Sequence, residues 1–360
     1  MGLVYNPFTN NLDYVRDAES GGGANLFPGD IITTLNWTDR SPDDFDIFGY
    51  TKSFPLNVTN GANHPYGNQV RVPYQHDVRT VDNTFWMFSG CNNAGLTSLV
   101  RYYDPKTNSW TSRGNAPITI RSGITLYDSN RDVFYYGMGY TNYNATNYTN
   151  RFFVYSPSTN TWMELSPFPE SEDATRACAI VEGSYVYVFG GPLRKIYRYD
   201  IDTDTWEYLD EYTDGTVQLA TKVSDGSIIC KKFVNATLRK IIKFRIPDFH
   251  NYEEVCSDTS ALTNGSDVGS EKFAEFNGLL VMSYVDYSAQ YYENPHIIAF
   301  DLFNNKYLGT IANKTLACLN TAYGFTSDGT LIAIGGTTFN NQHVWLVKDF
   351  GRVARMLIKK

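Results

Sequence analysis

Five histidines, five cysteines and three widely spaced arginines are the residues of this 360-residue chain whose types suit chemistry. His64, His76, His250, His296 and His343 show no HxxxH or HExxH spacing, so no pair meets on one helical turn to hold a cation. Each reads as a hydrogen-bonded loop or strand residue. Cys91, Cys178, Cys230, Cys256 and Cys318 stand singly without a CxxC pair, as small apolar core residues do, and form neither a zinc site nor a disulfide framework. GxSxG, P-loop and GxGxxG motifs are missing, and the run Gly21-Gly22-Gly23 follows no strand and opens no helix, so it cradles no phosphate. The sequence therefore predicts no catalytic residue, no metal and no cofactor. Arg71, Arg121 and Arg176 are different. Three guanidinium forks on one point would bind a carboxylate, although such forks more often bond the backbone carbonyls of the next structural unit. Two further stretches, GYTNYNATNYTN (139–150) and YVDYSAQYYENP (284–295), are rich in rings and amides. Their Tyr140, Tyr143, Asn144, Tyr148, Tyr287, Tyr291 and Tyr292 have the composition of loops that bind sugars or proteins at low entropic cost. Packing on one another to order a long loop is the competing use.

The elements that must position these groups are written as a repeated phrase. YYDPKTNSW ends at Trp110, VYSPSTNTW at Trp162 and YRYDIDTDTW at Trp206, with weaker versions FRIPDFHNY ending at Tyr252 and AFDLFNNKY ending at Tyr307. In each, a run of β-formers meets a turn cluster and resumes with a large aromatic, which is how a β-hairpin reads. A second phrase precedes each copy: FWMFSGC (85–91), VFYYGMG (133–139), VYVFGGP (186–192), SIICKK (227–232) and LLVMSY (279–284). A sixth, LIAIGGT (331–337), leads into QHVWLVKDFGRVARMLIKK, where a strand pair would end the chain. A unit of roughly 40 to 55 residues holding about four short strands is the signature of propeller blades. One such sheet cannot bury both faces, so several pack around an axis, with the aromatic after each turn filling the wedge between neighbours. The pattern predicts an all-β, six-bladed propeller over 71–360, and DIITTLNW and DIFGYTKSF leave room for a seventh blade within residues 31–70.

This pattern resembles the kelch repeat. Blade three carries it best, in Val188, Phe189, Gly190, Gly191, Tyr199, Asp200 and Trp206; blade one keeps Tyr103, Asp104, Pro105, Thr107 and Trp110 but has Ser89-Gly90 for the diglycine. Blades four and five lack both the diglycine and the Trp, and their assignment rests on spacing. Propellers also host enzymes. A galactose-oxidase-like copper site needs two Tyr, two His and a Tyr–Cys crosslink, and no grouping here predicts one. A sialidase-like site needs three arginines and a Tyr/Glu pair, for which only the arginines are visible. SDGS (224–227) and SDGT (327–330) are similar to sialidase Asp-boxes without the Trp, and as tight hairpin turns they need no other role.

A net charge of −8 and a pI near 5.2 argue against nucleic-acid binding by phosphate neutralisation. The basic run Lys231, Lys232, Arg239, Lys240 and Lys243 reads as a solvated blade edge. The apolar runs are strand-sized, so no membrane insertion is expected, and the N-terminus shows no signal peptide. Residues 1–19 read as a docking peptide, residues 20–70 as a Gly-rich joint and extended or strand connector. Val4, Tyr5, Asn6, Pro7, Phe8, Leu12 and Tyr14 belong to a segment, Val4 to Val15, that resembles the leader of tailed-bacteriophage structural proteins. That resemblance implies a virion component made in the host cytoplasm and present in multiple copies. Its leader would attach to other virion proteins and its body would meet a host-surface glycan or receptor. The leader also has the spacing of the blade phrase, so a further blade turn is the competing reading. Alternatives for the whole chain are a glycan-active, sialidase-like propeller and a cellular kelch adaptor.

Overall fold

The computed structural model describes residues 2–6, 11–15, 58–60, 72–92, 95–142, 146–170, 176–234, 239–256, 273–285, 295–303, 305–311, 322–334 and 344–347. All the elements among them are strands. In chain order they are β1 (Gly2–Asn6), β2 (Asn11–Val15), β3 (Val58–Asn60), β4 (Val72–Arg79), β5 (Thr84–Asn92), β6 (Gly95–Thr97), β7 (Leu99–Asp104) and β8 (Ser109–Asn115). Next come β9 (Ile124–Asp128), β10 (Val133–Tyr140), β11 (Tyr148–Ser156), β12 (Thr161–Leu165), β13 (Cys178–Glu182), β14 (Tyr185–Phe189), β15 (Lys195–Asp200) and β16 (Thr205–Glu211). The remainder are β17 (Thr216–Lys222), β18 (Ile228–Phe233), β19 (Arg239–Phe244), β20 (Glu253–Cys256), β21 (Ala274–Phe276), β22 (Leu279–Val285), β23 (Pro295–Asp301), β24 (Lys306–Ile311), β25 (Ala322–Phe325), β26 (Leu331–Ile334) and β27 (Val344–Val347).

The repeated phrase becomes a hairpin for local reasons. In three copies a tyrosine stands directly opposite the aromatic that follows the turn: Tyr103 with Trp110, Tyr155 with Trp162 and Tyr199 with Trp206; Phe300 and Tyr307 repeat the pairing. The turn needs one left-handed residue, and Asn108, Asn160, Asp204 and Asn305 supply it at φ 52°, 55°, 54° and 49°. Asn and Asp tolerate that region better than other non-glycine residues. The same side chains then accept the tyrosine hydroxyls: Tyr103 to Asn108 at 2.9 Å, Tyr155 to Asn160 at 2.7 Å and Tyr199 to Asp204 at 2.6 Å. One residue therefore closes the turn and satisfies a buried phenol.

The hairpins assemble into a β-propeller. Five sheets have four strands each, in the orders β9 to β12, β13 to β16, β17 to β20, β21 to β24, and β25-β26-β27-β3; the sheet of β4, β5, β7 and β8 carries a fifth strand, β6, against β5. The bare four-stranded form is thus held by five sheets, fewer than the six or seven expected. β4 packs beside β9 and β25, β9 beside β13, β13 beside β17, and β21 beside β25, while Val223, Ile229 and Ile241 meet Phe273, Leu280 and Phe300 at the remaining seam. Strand β10 is apolar without alternation because both its faces are covered: Phe134 and Tyr136 pack toward Trp86 and Phe88, Tyr135 toward Val186 and Tyr199.

Two expectations are corrected here. The outer strand of the last sheet does not come from the C-terminal run: β3 pairs with β27, Asn60 opposite Trp345 and Val58 opposite Val347. A strand within the connector thus completes the ring, and Val58–Asn60 are used there instead of in a seventh blade; residues 31–57 lie outside the described residues. The leader, for its part, is a two-stranded hairpin, with Val4 opposite Asp13 and Tyr5 opposite Leu12, in a sheet of its own.

Candidate functional site

An up-and-down blade puts its first and third turns on one end of the propeller, and its middle loop and the link to the next blade on the other. The two ends are used differently. At the turn end, polar side chains stitch sheet to sheet. Arg79 forms a fork on Asp132, with Nε to Oδ1 at 2.7 Å and Nη2 to Oδ2 at 2.6 Å, and also pairs with Asp82. Tyr127 donates its hydroxyl to Asp132 at 2.9 Å. The Arg79 fork holds the Asp132 carboxyl below its ordinary range, against the opposing effect of burial and with help from Tyr127. Arg131 reaches the Gly183 carbonyl at 3.0 Å, Lys222 pairs with Glu182, Ser224 bonds Glu275 at 3.2 Å, and the Ser327 amide donates to Asn83 at 2.8 Å. Burial raises Glu275, and its bonds from Gly278 and Ser224 only partly offset this. SDGS and SDGT form turns of this end, closed by Val223 N to Ser227 O at 2.9 Å and Thr326 N to Thr330 O at 3.0 Å.

The loop end gathers the candidate recognition groups that the structure describes. Tyr140 ends β10 and Tyr148 begins β11, and their rings meet at 4.7 Å. The Arg121 guanidinium lies 5.5 Å over the Tyr140 ring, and the Arg121 and Tyr140 backbones exchange hydrogen bonds at 3.0 Å. The loop between them is braced from inside: Thr141 N donates to Asn147 O at 2.8 Å, and Asn142 Oδ1 accepts from Thr146 N at 3.0 Å. Of the two uses weighed for these tyrosines, ring-on-ring packing is what the contact of Tyr140 and Tyr148 shows, and Tyr148 stays 40% exposed. Arg176, exposed and left-handed at φ 58°, donates its amide to the Ser122 carbonyl at 2.8 Å, so two of the three arginines come from adjoining segments. Arg71, Tyr143, Asn144, Tyr287, Tyr291, Tyr292, Pro7 and Phe8 lie outside the described residues.

Two polar clusters at this end were not legible in sequence. Glu170 takes the Lys195 ammonium and the Tyr197 hydroxyl, which hold its carboxyl below the usual range, Lys195 first. Lys232 is buried, bonded to Asp214 at 2.6 Å and to the Tyr252 hydroxyl at 2.9 Å, with its ammonium 4.2 Å over the Tyr252 ring. The basic run is accordingly no solvated edge: Lys231 and Lys232 are buried, Lys240 pairs with Glu254 at 2.8 Å, and Lys243 with Asp225 at 2.8 Å.

The packing aromatics go where the wedge argument puts them. Trp110 packs between β4–β8 and the β25–β26 sheet, Trp162 on Phe88 and Tyr136, and Trp206 on Phe152 and Phe168. Trp206 also donates Nε1 to the Ser166 carbonyl at 2.9 Å. The FRIPDFHNY unit departs from this. Its turn is longer, and Phe249, which sequence reasoning passed over, is the buried ring at that seam, while Tyr252 is a partly buried ring packed against the same cluster. The side chain of Tyr307 lies outside the described residues. Among the described residues no group of three or more His, Cys, Asp or Glu could hold a metal, and no helix is long and apolar enough to cross a membrane.

No protein-family model matches the chain. It is 33% identical over 104 residues to a kelch domain-containing protein of Sulfurisphaera tokodaii, covering 29% of this chain and 14% of that protein. It is 21% identical over 155 residues to Kelch-like protein 35 of Mus musculus, covering 43% and 26%. With Kelch-like protein 36 of Rattus norvegicus the identity is 28% over 138 residues, covering 37% and 21%. The chain thus spans no more than about a quarter of the length of these curated relatives. The solved structure titled "Structure of YjhT" superposes with a TM-score of 0.56 at 15% identity, over 79% of this chain and 94% of that one, a likeness of fold. Repeat, fold and relatives together define a kelch-like β-propeller.

Proposed function

We propose that this chain is a non-enzymatic attachment protein of a bacteriophage particle, a tail, collar or capsid appendage whose propeller meets a host-surface receptor. We count the five-stranded sheet as a blade, which gives six. One observation carries the reading: β1 and β2 pair only with each other among the described strands, well separated in sequence from the first propeller strand. A hairpin that pairs with no described blade strand supports the docking reading over the blade-turn reading of VYNPFTNNL. On this reading the loop end, with Tyr140, Tyr148 and Arg121, faces outward, because the turn end spends its polar groups on neighbouring sheets. The test is removal of residues 1–19. The truncated chain should fold and stay soluble but no longer incorporate into particles, read by mass spectrometry of purified virions. Normal incorporation would sink the docking role.

A second reading, a cellular kelch adaptor binding a protein partner, draws on the similarity to the mouse and rat Kelch-like proteins. It predicts that loop-end substitutions such as Tyr148→Ala abolish capture of a host protein while truncation of the hairpin leaves capture intact.

A further inference from the structure

The repeat places an aromatic at the same point of two neighbouring sheets and covers it in only one of them. In the β9–β12 sheet Phe153 stands two residues before Tyr155 and Arg151 two before that, while Glu164 stands two residues after Trp162, opposite Phe153. There the chain covers its own ring. The Arg151 guanidinium lies 4.8 Å over Phe153 and forks onto Glu164, with Nε to Oε1 at 2.7 Å and Nη2 to Oε2 at 2.8 Å. The β13–β16 sheet has Tyr197, Lys195 and Tyr208 at those three positions, with Tyr208 opposite Tyr197. Their contacts differ. Lys195 pairs with Glu170, in the link before β13, and Tyr197 donates its hydroxyl to the same oxygen, Glu170 Oε1. Glu170 Oε2 takes no hydrogen bond from the described residues. The Tyr208 ring meets Tyr197 edge to face at 5.5 Å and stays 51% exposed.

We infer that Tyr208, Tyr197, Glu170 and Lys195 form a binding site for a neutral sugar, its pyranose ring lying on Tyr208 and its hydroxyls bonding Glu170 and Lys195. Charge selects this class of ligand. Glu170 and Lys195 compensate each other, so the cluster offers an acceptor oxygen beside an ammonium donor without net charge. An acidic sugar would meet Glu207, Asp210 and Glu211 on the strand that carries Tyr208. A cation would compete with Lys195 for Glu170. A neutral sugar meets neither obstacle. Its C–H face suits an aromatic ring, and adjacent hydroxyls, each both donor and acceptor, suit a carboxylate next to an ammonium. The site is also held ready: Lys195 and Tyr197 fix Glu170, and Tyr197 supports the Tyr208 ring from beneath, so little side-chain freedom is lost on binding. In the neighbouring sheet Arg151 fills the equivalent place, which is why the second tyrosine, and not the repeat itself, makes the site. The site uses none of Arg121, Tyr140 and Tyr148, and it needs neither the docking hairpin nor a particle.

The experiment titrates the purified full chain with the methyl β-glycosides of galactose, glucose and N-acetylglucosamine, read by saturation-transfer NMR and calorimetry, with N-acetylneuraminate and tetramethylammonium as the anionic and cationic probes. At least one neutral glycoside should bind, and more tightly than either charged probe. Tyr208→Phe should keep the affinity, whereas Tyr208→Ala should weaken it about tenfold. Glu170→Gln should weaken it as well. Met163→Ala, which removes a comparably exposed side chain from β12, should leave binding unchanged. Absence of binding by all three glycosides, an affinity that survives Tyr208→Ala, tighter binding of the anion or the cation, or loss of binding on Tyr148→Ala with Tyr208→Ala unaffected overturns the inference. The preference of the wild-type chain among sugar, anion and cation is read without any variant, so a substitution that fails to fold does not shield the idea.

Discussion

Trp162 touches Tyr155 at 4.7 Å within its own sheet and Phe88 at 5.9 Å in the preceding one, so a single side chain ties a hairpin to its neighbour. Truncating it leaves a void that both sheets line. Trp162→Ala should therefore cost about 3–4 kcal/mol in urea unfolding, whereas Tyr155→Phe, which removes only the hydroxyl given to Asn160, should cost about 1 kcal/mol. Equal costs would mean that the ring is not the wedge. Asp132 gives a prediction of different form. Its folded pKa lies below its unfolded one because Arg79 grips the charged form. The contribution to stability is complete above the ordinary carboxylate value of about 4 and is lost as pH falls through the folded value. Asp132→Asn should lower the unfolding midpoint at neutral pH and flatten its decline between about pH 5 and pH 3. Parallel curves for the two proteins would show that the fork does not govern this range. The side chain is 34% exposed, so the effect is a modest one.

At the scale of the element, the glycines that close the second strand of a blade do more than make room for a bend. Gly190 has φ 78°, and a Cβ there would lie 2.2 Å from the Val217 carbonyl of the next sheet. Gly183, in the tight turn between β13 and β14, has φ 60° and open space around it. Both substitutions by alanine incur left-handed strain of about 1–2 kcal/mol, but only Gly190→Ala must also push two sheets apart. Its unfolding midpoint should fall well below that of Gly183→Ala; matching midpoints would show that the seam tolerates the displacement. This seam contact was invisible in the sequence, because a diglycine reports permissive backbone and not what approaches it. The hairpin phrase was legible for the opposite reason. Tyr155, Asn160 and Trp162 interact with one another over a few residues, so turn, hydrogen bond and cross-strand pair are all written locally. Where the local writing changed, in FRIPDFHNY, the choice of Tyr252 as the wedge passed over Phe249, since the longer turn reassigns which ring reaches the core.

For the whole molecule, the decisive contact joins residues far apart in sequence. β3, Val58–Asn60, supplies the outer strand against β27, and three residues with no turn and no aromatic carry no signal that they belong beside Val344–Val347. The candidate site divides the same way. Tyr140 and Tyr148 could be named from loop composition, whereas Arg121 over Tyr140, the Glu170 cluster and buried Lys232 depend on neighbours brought in by the ring. Closure by β3 also separates two roles that lie side by side in the first 60 residues. Among the described strands β1 and β2 pair only with each other, so deleting residues 1–19 should leave the thermal-unfolding midpoint unchanged within about 1 °C, since no described blade loses a paired strand. Deleting residues 1–60 instead exposes the row of β27 backbone groups that β3 satisfies, and an unpaired edge is a template for association between chains. That protein should unfold at lower temperature and run as oligomers in size-exclusion chromatography. If both truncations behaved alike, the ring would be closed by something other than β3, and the division between a docking hairpin and a self-sufficient propeller would fall with it.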